Sequence, residues 1–248
     1  MNNIKVIGII PARINSTRFP EKVIHNILGK PMIWHVYNQS KKAMLLDDII
    51  VATDSYKVVD ICNSFMIPVI LTSDKHKTGT DRLIEVSNTI YADLYINIQG
   101  DEPLIKGEMI DQLIKLSIED NLNSIATLKT RVTNEIDIMN PNIVKVITDD
   151  KGFAYDFVRK IQANSQISRE ICYYKHIGLY GYPRKMLLKI SSITESKREL
   201  ENNLEQLRFL DNNLPIKVIE TTFNSIGVDI HDDIIRVENI LINEQALI

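Results

Sequence analysis

The run Lys5-Val6-Ile7-Gly8-Ile9-Ile10 offers water no polar face once Lys5 is passed. A strand with one wet face alternates apolar and polar residues, so an unbroken apolar run this short marks a strand covered on both sides. Parallel sheets with helices on each face meet that condition. Ile49-Ile50-Val51-Ala52-Thr53 and Leu94-Tyr95-Ile96-Asn97-Ile98 repeat the pattern, and Val69-Ile70-Leu71 is a shorter instance. Helices are expected between these runs. One opens at Pro31, a residue tolerated in a first turn, and runs to about residue 44. A second follows Asp54 or Ser55, either of which can cap it, and a third covers residues 79–90. This rhythm predicts an α/β fold with a doubly wound, mostly parallel sheet.

Beyond residue 103 the rhythm changes. Residues 124–132, 143–148, 153–158 and 173–182 read as strands with little helix between them. They predict a small antiparallel or mixed extension, an inserted β-rich lobe at about 124–182 of a chain otherwise read as a single domain over 1–248. The polar, aperiodic stretch 161–169 reads as a loop or arm. Leu200, Leu204, Leu207 and Leu210 keep helical spacing and predict one amphipathic helix over 199–210. A last strand is expected at 216–219 and a closing helix at 232–247.

A net charge of −3 excludes a general nucleic-acid binder, because phosphate-backbone binding needs a basic face. Any cations serving an anionic ligand must be gathered locally. Cys62 and Cys172 stand far apart, outside any C-x-x-C pattern, which fits a reducing compartment and no cysteine zinc site. The first residues lack a signal peptide's long apolar core, and no apolar stretch reaches bilayer length. A soluble, cytoplasmic protein without a membrane partner is expected.

Such a gathering of cations directly follows the first buried strand. Arg13, Arg18 and Lys22 lie in one loop with Ser16 and Thr17, bracketed by Pro11 and Pro20. Ligands of open α/β sheets sit beyond the carboxyl ends of strands, so this loop suits a polyphosphate. Gln99-Gly100-Asp101-Glu102-Pro103 ends another buried strand, and a carboxylate beside phosphates implies Mg²⁺. Asp229, in Gly227-Val228-Asp229, reads as a second metal ligand or as a capping acid of the last helix. Thr78-Gly79-Thr80-Asp81-Arg82 reads as a helix N-terminus that binds an anion or base edge, or simply as a cap. His176, Tyr180 and Tyr182 share one face of a strand, either solvent-facing or sugar-binding. Glu205, Gln206 and Arg208 fall on the amphipathic helix, where a solvated face is the simple reading. No phosphate-binding G-x-x-x-x-G-K-[ST] loop or G-x-G-x-x-G fingerprint occurs.

Taken in order, I-I-P-A-R-x-x-S-T-R-x-P-x-K, A-T-D, T-G-T-D-R-L, Q-G-D-E-P, N-P-N-x-V-K-V, H-I-G-L-Y-G-Y, L-E-Q-L-R and G-V-D resemble the bacterial CMP-Kdo synthetases. These are 3-deoxy-manno-octulosonate cytidylyltransferases, and the resemblance runs from about residue 6 to 237. It implies a Rossmann-like nucleotidyltransferase fold and a cytoplasmic homodimer of a lipopolysaccharide, capsule or other glycan pathway. It implies an enzyme that joins CTP to the anomeric hydroxyl of Kdo or a related 2-keto sugar acid, releasing pyrophosphate with Mg²⁺ as cofactor. By the same resemblance Arg13, Ser16, Arg18 and Lys22 hold the CTP phosphates, and Thr78, Gly79 and Thr80 lie near cytosine and ribose. Asp101 and Asp229 match the metal-binding acids, and Gln99, His176, Tyr180, Glu205 and Gln206 the sugar side. Arg13, Lys22, Asp101 and Asp229 make up the implied catalytic set. The chain departs from the family pattern at Glu21, where glycine is usual, at 158–163, at Asn202 and at 224–227. These departures fit either a modified Kdo or related ulosonic acid as acceptor, or an arm that is simply a variable loop. The rival readings are a sugar-phosphate nucleotidylyltransferase, a nucleotide-sugar glycosyltransferase and a non-catalytic nucleotide-binding regulator.

Overall fold

Strand β1, Val6–Pro11, is buried along almost its whole length, as its composition requires. The computed structural model describes residues 4–14, 19–160 and 172–245. A 3₁₀ turn at Lys22–Ile24 leads into a small hairpin of β2, Asn26–Ile27, and β3, Lys30–Pro31. Its turn residues Leu28 and Gly29 both take positive φ, 49° and 82°, which suits a two-residue hairpin.

Helix α1, Met32–Ser40, stops short of the expected residue 44. The cause is Asp111, whose carboxylate accepts the backbone N–H groups of Met44 and Leu45 at 2.9–3.1 Å and draws them out of the helical ladder. Strand β4, Asp48–Thr53, helix α2, Tyr56–Ser64, strand β5, Val69–Leu71, helix α3, Gly79–Thr89, and strand β6, Leu94–Asn97, follow as expected. Ser55 occupies the N-cap of α2 without a side-chain bond, and Asp54 is engaged elsewhere. β1 pairs in parallel with β6 on one side and β4 on the other, and β5 continues beyond β4. This parallel sheet turns its carboxyl ends toward the loops that carry the candidate residues.

Helix α4, Gly107–Glu119, is an element the strand-rich reading of this stretch leaves out. Met109, Ile110, Leu113, Ile114 and Ser117 form its buried stripe. The chain divides into two compact units, Met1–Asp111 with Ser225–Ile248, and Gln112–Asn224, so the boundary falls inside α4. The expected lobe at 124–182 falls inside the second unit.

That second unit holds strands β7, Ile125–Val132, β8, Lys145–Thr148, β9, Ala154–Val158, β10, Tyr173–Pro183, and β11, Ile216–Glu220. β7 pairs antiparallel with β10 and parallel with β11, while β8 pairs antiparallel with both β10 and β9. The mixed extension is therefore present, with helices α5, Glu135–Met139, and α6, Arg184–Ile190, at its margins. The expected arm at 161–169 lies outside the described residues. The single amphipathic helix is instead two, α7, Lys197–Asn202, and α8, Gln206–Asp211. Asn203 takes the left-handed conformation at φ 51° and ends α7, so Leu200 is left exposed while Leu204 and Leu207 are buried. The chain then returns to the first unit, where α9, His231–Gln245, packs Ile234, Val237 and Leu241 on Ile27, Met32, Leu104 and Val228. No described helix is long and apolar enough to cross a membrane.

Candidate active site

The carboxyl ends of β1 and β6 lie side by side, and the loops that leave them are pressed together. A Cβ built on Gly100 would stand 2.6 Å from the Pro11 carbonyl oxygen, a backbone atom with no room to retreat. Only glycine allows this approach. The residue after it, Asp101, is thereby fixed beside the loop that follows β1. Lys22 reaches it across 79 residues of sequence: its ammonium donates to Asp101 Oδ2 at 2.6 Å and to the Val228 carbonyl at 2.5 Å. Asp229 Oδ1 lies 3.7 Å from the same nitrogen. The Lys22 side chain is buried, 8% exposed, whereas Asp101 and Asp229 stay open at 34% and 54%. The Val228 N–H donates to the Asp101 carbonyl at 2.8 Å, so the two acid-bearing segments are also joined through backbone. Asp233 accepts the N–H groups of Asp229 and Ile230, which fixes the start of α9.

Beside this cluster opens a cavity lined by Arg13, Lys22, Thr78, Gly79, Gln99 and Asp101, among others. Ser16 and Arg18 lie outside the described residues. Thr78 is a true cap as well as a wall residue: its hydroxyl accepts from the Asp81 N–H, and the Asp81 carboxylate accepts from the Thr78 N–H, both at 3.1 Å. Thr80 is buried, 1% exposed, and does not line the cavity. Gln99, implied on the sugar side, lines this same cavity.

Sequence reasoning passes over the wall residues His76 and Lys77, and reads Arg82 only as part of the motif that opens at Thr78. The signal was their position on either side of the Thr78 cap. His76 Nε2 meets Glu85 Oε2. Burial pushes the Glu85 carboxyl up, but the Ser73 N–H, His76 and Arg82 together hold it below its ordinary value. Arg82 is 2% exposed and donates to Asp54 Oδ2 at 2.8 Å and to Thr72. The other Asp54 oxygen accepts the Ile14 N–H at 3.2 Å. The cationic loop is thus anchored to a buried ion pair.

The second unit gathers the remaining candidates. His176 packs on Phe157 and Tyr180, with ring centroids 5.1 and 5.3 Å away, and Tyr180 stacks on Tyr182 at 5.6 Å. β10 gains two residues against β7 between Ile177 and Tyr180. An offset of two preserves the alternation, so His176, Tyr180 and Tyr182 keep a common face. That face is not solvent-facing, since Tyr180 and Tyr182 are 7% and 1% exposed. The Tyr180 hydroxyl is buried with no hydrogen-bond partner among the described residues. Burial drives its phenol well above the ordinary value, and Tyr182 and Glu205 add to the shift. Arg208 is not on a solvated face either. It is buried and donates to Glu199 at 3.1 Å and Glu205 at 3.2 Å. Gln206 is likewise buried.

A family model described as "Cytidylyltransferase" matches residues 7–220. The 3-deoxy-manno-octulosonate cytidylyltransferase of Koribacter versatilis is 46% identical over 239 residues, 96% of this chain and 90% of that protein. That of Geotalea uraniireducens is 43% identical, with 94% and 97% covered. This chain belongs to the 3-deoxy-manno-octulosonate cytidylyltransferase family. A solved CMP:2-keto-3-deoxy-manno-octonic acid synthetase complexed with CTP superposes on the cytidylyltransferase chain with a TM-score of 0.92. It is 34% identical and covers 97% of this chain and 99% of its own. A glucose-1-phosphate thymidylyltransferase from Bacillus anthracis, 17% identical with a TM-score of 0.68, shares the fold.

Membership gives Glu21 a physical meaning. This residue sits at φ 57°, ψ 21°, the left-handed region, where glycine carries no steric cost. Its carboxylate meets Lys57 alone among the described residues, and both side chains are half exposed, a pairing of small value. Glu21→Gly in this cytidylyltransferase is expected to stabilise by about 0.5–1 kcal/mol, a rise in Tm of roughly 2 °C. A lower Tm in a thermal melt would show that Glu21 is not strained.

The half-buried His176 gives a pH signature. Burial, with Lys175 adding, lowers its pKa to about 3. The unfolded chain therefore takes up this proton near pH 6.5 and the folded cytidylyltransferase does not. Stability should fall as pH drops below about 6.5, by at most about 1.4 kcal/mol per unit from this group. Urea titrations from pH 7 to 4.5 should show a shallower decline in His176→Gln than in the parent protein. Parallel curves would remove His176 from the account.

Proposed function

We propose that this enzyme transfers CMP from CTP to the anomeric hydroxyl of 3-deoxy-manno-octulosonate, releasing pyrophosphate, with Mg²⁺ as cofactor. The observation that carries the reading is the convergence of Asp101, Asp229 and Lys22 at one edge of a cavity walled by Arg13, Thr78 and Gly79. The relatives' names and the CTP complex of the solved synthetase support it.

The residues fit a magnesium ion. Asp101 and Asp229 offer hard oxygen donors that converge on a single nitrogen, and Mg²⁺ is usually held by one or two carboxylates plus substrate phosphates and water. The described residues hold no cluster of three or more histidine, cysteine, aspartate or glutamate side chains, so substrate phosphates and water would supply the remaining ligands. When bound, the ion would offset charge on the phosphate oxygens and make the acceptor hydroxyl more acidic. The chain's own part is to position and to balance charge. Arg13, with Ser16 and Arg18 of the same loop, is assigned to the triphosphate. Thr78 and Gly79 are assigned to the base and ribose at the start of α3. His176, Tyr180, Glu205 and Gln206 are assigned to the acceptor by the family resemblance, which the buried Tyr180 hydroxyl, without a hydrogen-bond partner among the described residues, supports. The proposal includes a homodimer, which sedimentation velocity at micromolar concentration tests directly: a monomer removes that part.

Pyrophosphate release from each nucleoside triphosphate with Mg²⁺, against a panel of ulosonic acids and sugar phosphates, tests the whole reading. CTP is expected to exceed UTP by about tenfold or more in kcat/KM, because a polar site leaves groups unpaired against the wrong base edge. Preference for a substituted ulosonic acid over 3-deoxy-manno-octulosonate would move the acceptor. Turnover with a sugar 1-phosphate instead would replace the proposal.

A further inference from the structure

The ammonium of Lys22 is engaged by the two acid-bearing segments although its side chain lines the phosphate cavity. It is buried, and its donors face Asp101 Oδ2 at 2.6 Å, the Val228 carbonyl at 2.5 Å and Asp229 Oδ1 at 3.7 Å. Asp101 and Val228 accept from two of the ammonium's three donors, and Asp229 adds an ion pair at longer range. The arrangement is mutually required. A buried ammonium without oxygen partners is costly, and two carboxylates on one small site repel unless a cation lies between them. The oxygens that hold Lys22 are also the hard donors a divalent cation needs.

We propose that Lys22 is the resident cation of this carboxylate pair, and that a divalent ion reaches Asp101 and Asp229 only by displacing its ammonium. This deepens the function proposed above and rests on its assignment of the two acids to metal. Lysine suits the exchange because its charge rides on a flexible four-carbon stem. Lys22 also lines the phosphate cavity, so the displaced cation stays beside the nucleotide anion. Metal and nucleotide then help each other bind: a phosphate that draws Lys22 away from the acids favours the metal, and the metal that frees Lys22 favours the phosphate. Such coupling is reciprocal by thermodynamic necessity. A lysine that served only as a phosphate ligand would leave metal affinity unchanged while no nucleotide is present.

Mn²⁺ binding to the whole chain without nucleotide, followed by the EPR signal of the free ion, separates these cases. Lys22→Met, close in length and uncharged, is expected to bind Mn²⁺ about tenfold tighter or more, because a cation at contact distance no longer competes. Equal or weaker binding by Lys22→Met overturns the displacement. Asp101→Asn is expected to lose Mn²⁺ binding, and if it binds as the parent does, the metal assignment itself fails. A second measurement serves if Lys22→Met does not fold. Reductive methylation of the parent protein, read by mass spectrometry, should label Lys22 several-fold faster with Mg²⁺ than without, relative to the exposed Lys57. Unchanged or slower labelling of Lys22 also overturns the proposal.

Discussion

Asp101→Asn is expected to turn over CTP at least about a thousandfold more slowly than the parent protein while melting within a few degrees of it. The two effects separate because this side chain does two jobs. As a structural group it receives one donor of Lys22, at 2.6 Å, and an asparagine oxygen can receive that donor in the same place. Its backbone carbonyl still accepts the Val228 N–H, so the two acid-bearing segments remain joined. As a charge, Asp101 has no replacement in the cluster. Asp229 is the more exposed of the two acids, and no third ligand stands among the described residues. Losing one negative charge halves the anionic field available to a metal ion and leaves Lys22 to hold Asp229 alone. Pyrophosphate release and thermal melting, measured on the same preparation, check the claim. Turnover within tenfold of the parent would remove Asp101 from the chemistry. A collapse in Tm would show that its role is structural.

The parallel sheet was legible because buried strands leave few polar residues to confuse the pattern, as in residues 6–10, 49–53 and 94–98. The cationic loop and Asp101 were legible because their motifs end such strands. What lay out of reach depended on distant contacts. Leucine spacing could not reveal that Asn203 turns left-handed and splits one helix into two. Nor could it show that Arg208 is buried, since the partner that neutralises it, Glu199, belongs to the preceding helix. Asp54 reads as a cap from its place before α2, yet its oxygens serve Ile14 and Arg82. Lys22 reads as a phosphate cation from its neighbours in sequence, whereas its oxygen partners come from 79 and 206 residues further on. Local pattern thus supplied the identity of the charged residues, and tertiary structure supplied their counter-charges.

Arg82→Met is expected to destabilise the protein by about 3–5 kcal/mol, the range for breaking a buried ion pair from one side. Arg82 and Asp54 are both withdrawn from water, their side chains 3% and 12% exposed. Methionine fills much of the arginine stem's volume, so the loss is not mainly one of packing. What remains is a carboxylate whose one oxygen still accepts the Ile14 N–H while the other has lost its cation. Thr72 and the Ser73 carbonyl lose a donor in the same change, and Glu85 loses a nearby positive charge. The effect should reach function through Ile14, which is tied to Asp54 and lies next to Arg13 in the cationic loop. CTP affinity should therefore fall even at temperatures where the variant is fully folded. Urea denaturation measures the first effect, and calorimetric titration with CTP at 15 °C measures the second. The double variant Asp54→Leu/Arg82→Met tests the cause. It removes the stranded charge along with its partner, so it should be more stable than Arg82→Met alone. If the double variant is less stable, or if Arg82→Met costs under about 1 kcal/mol, the pair is not the anchor described here.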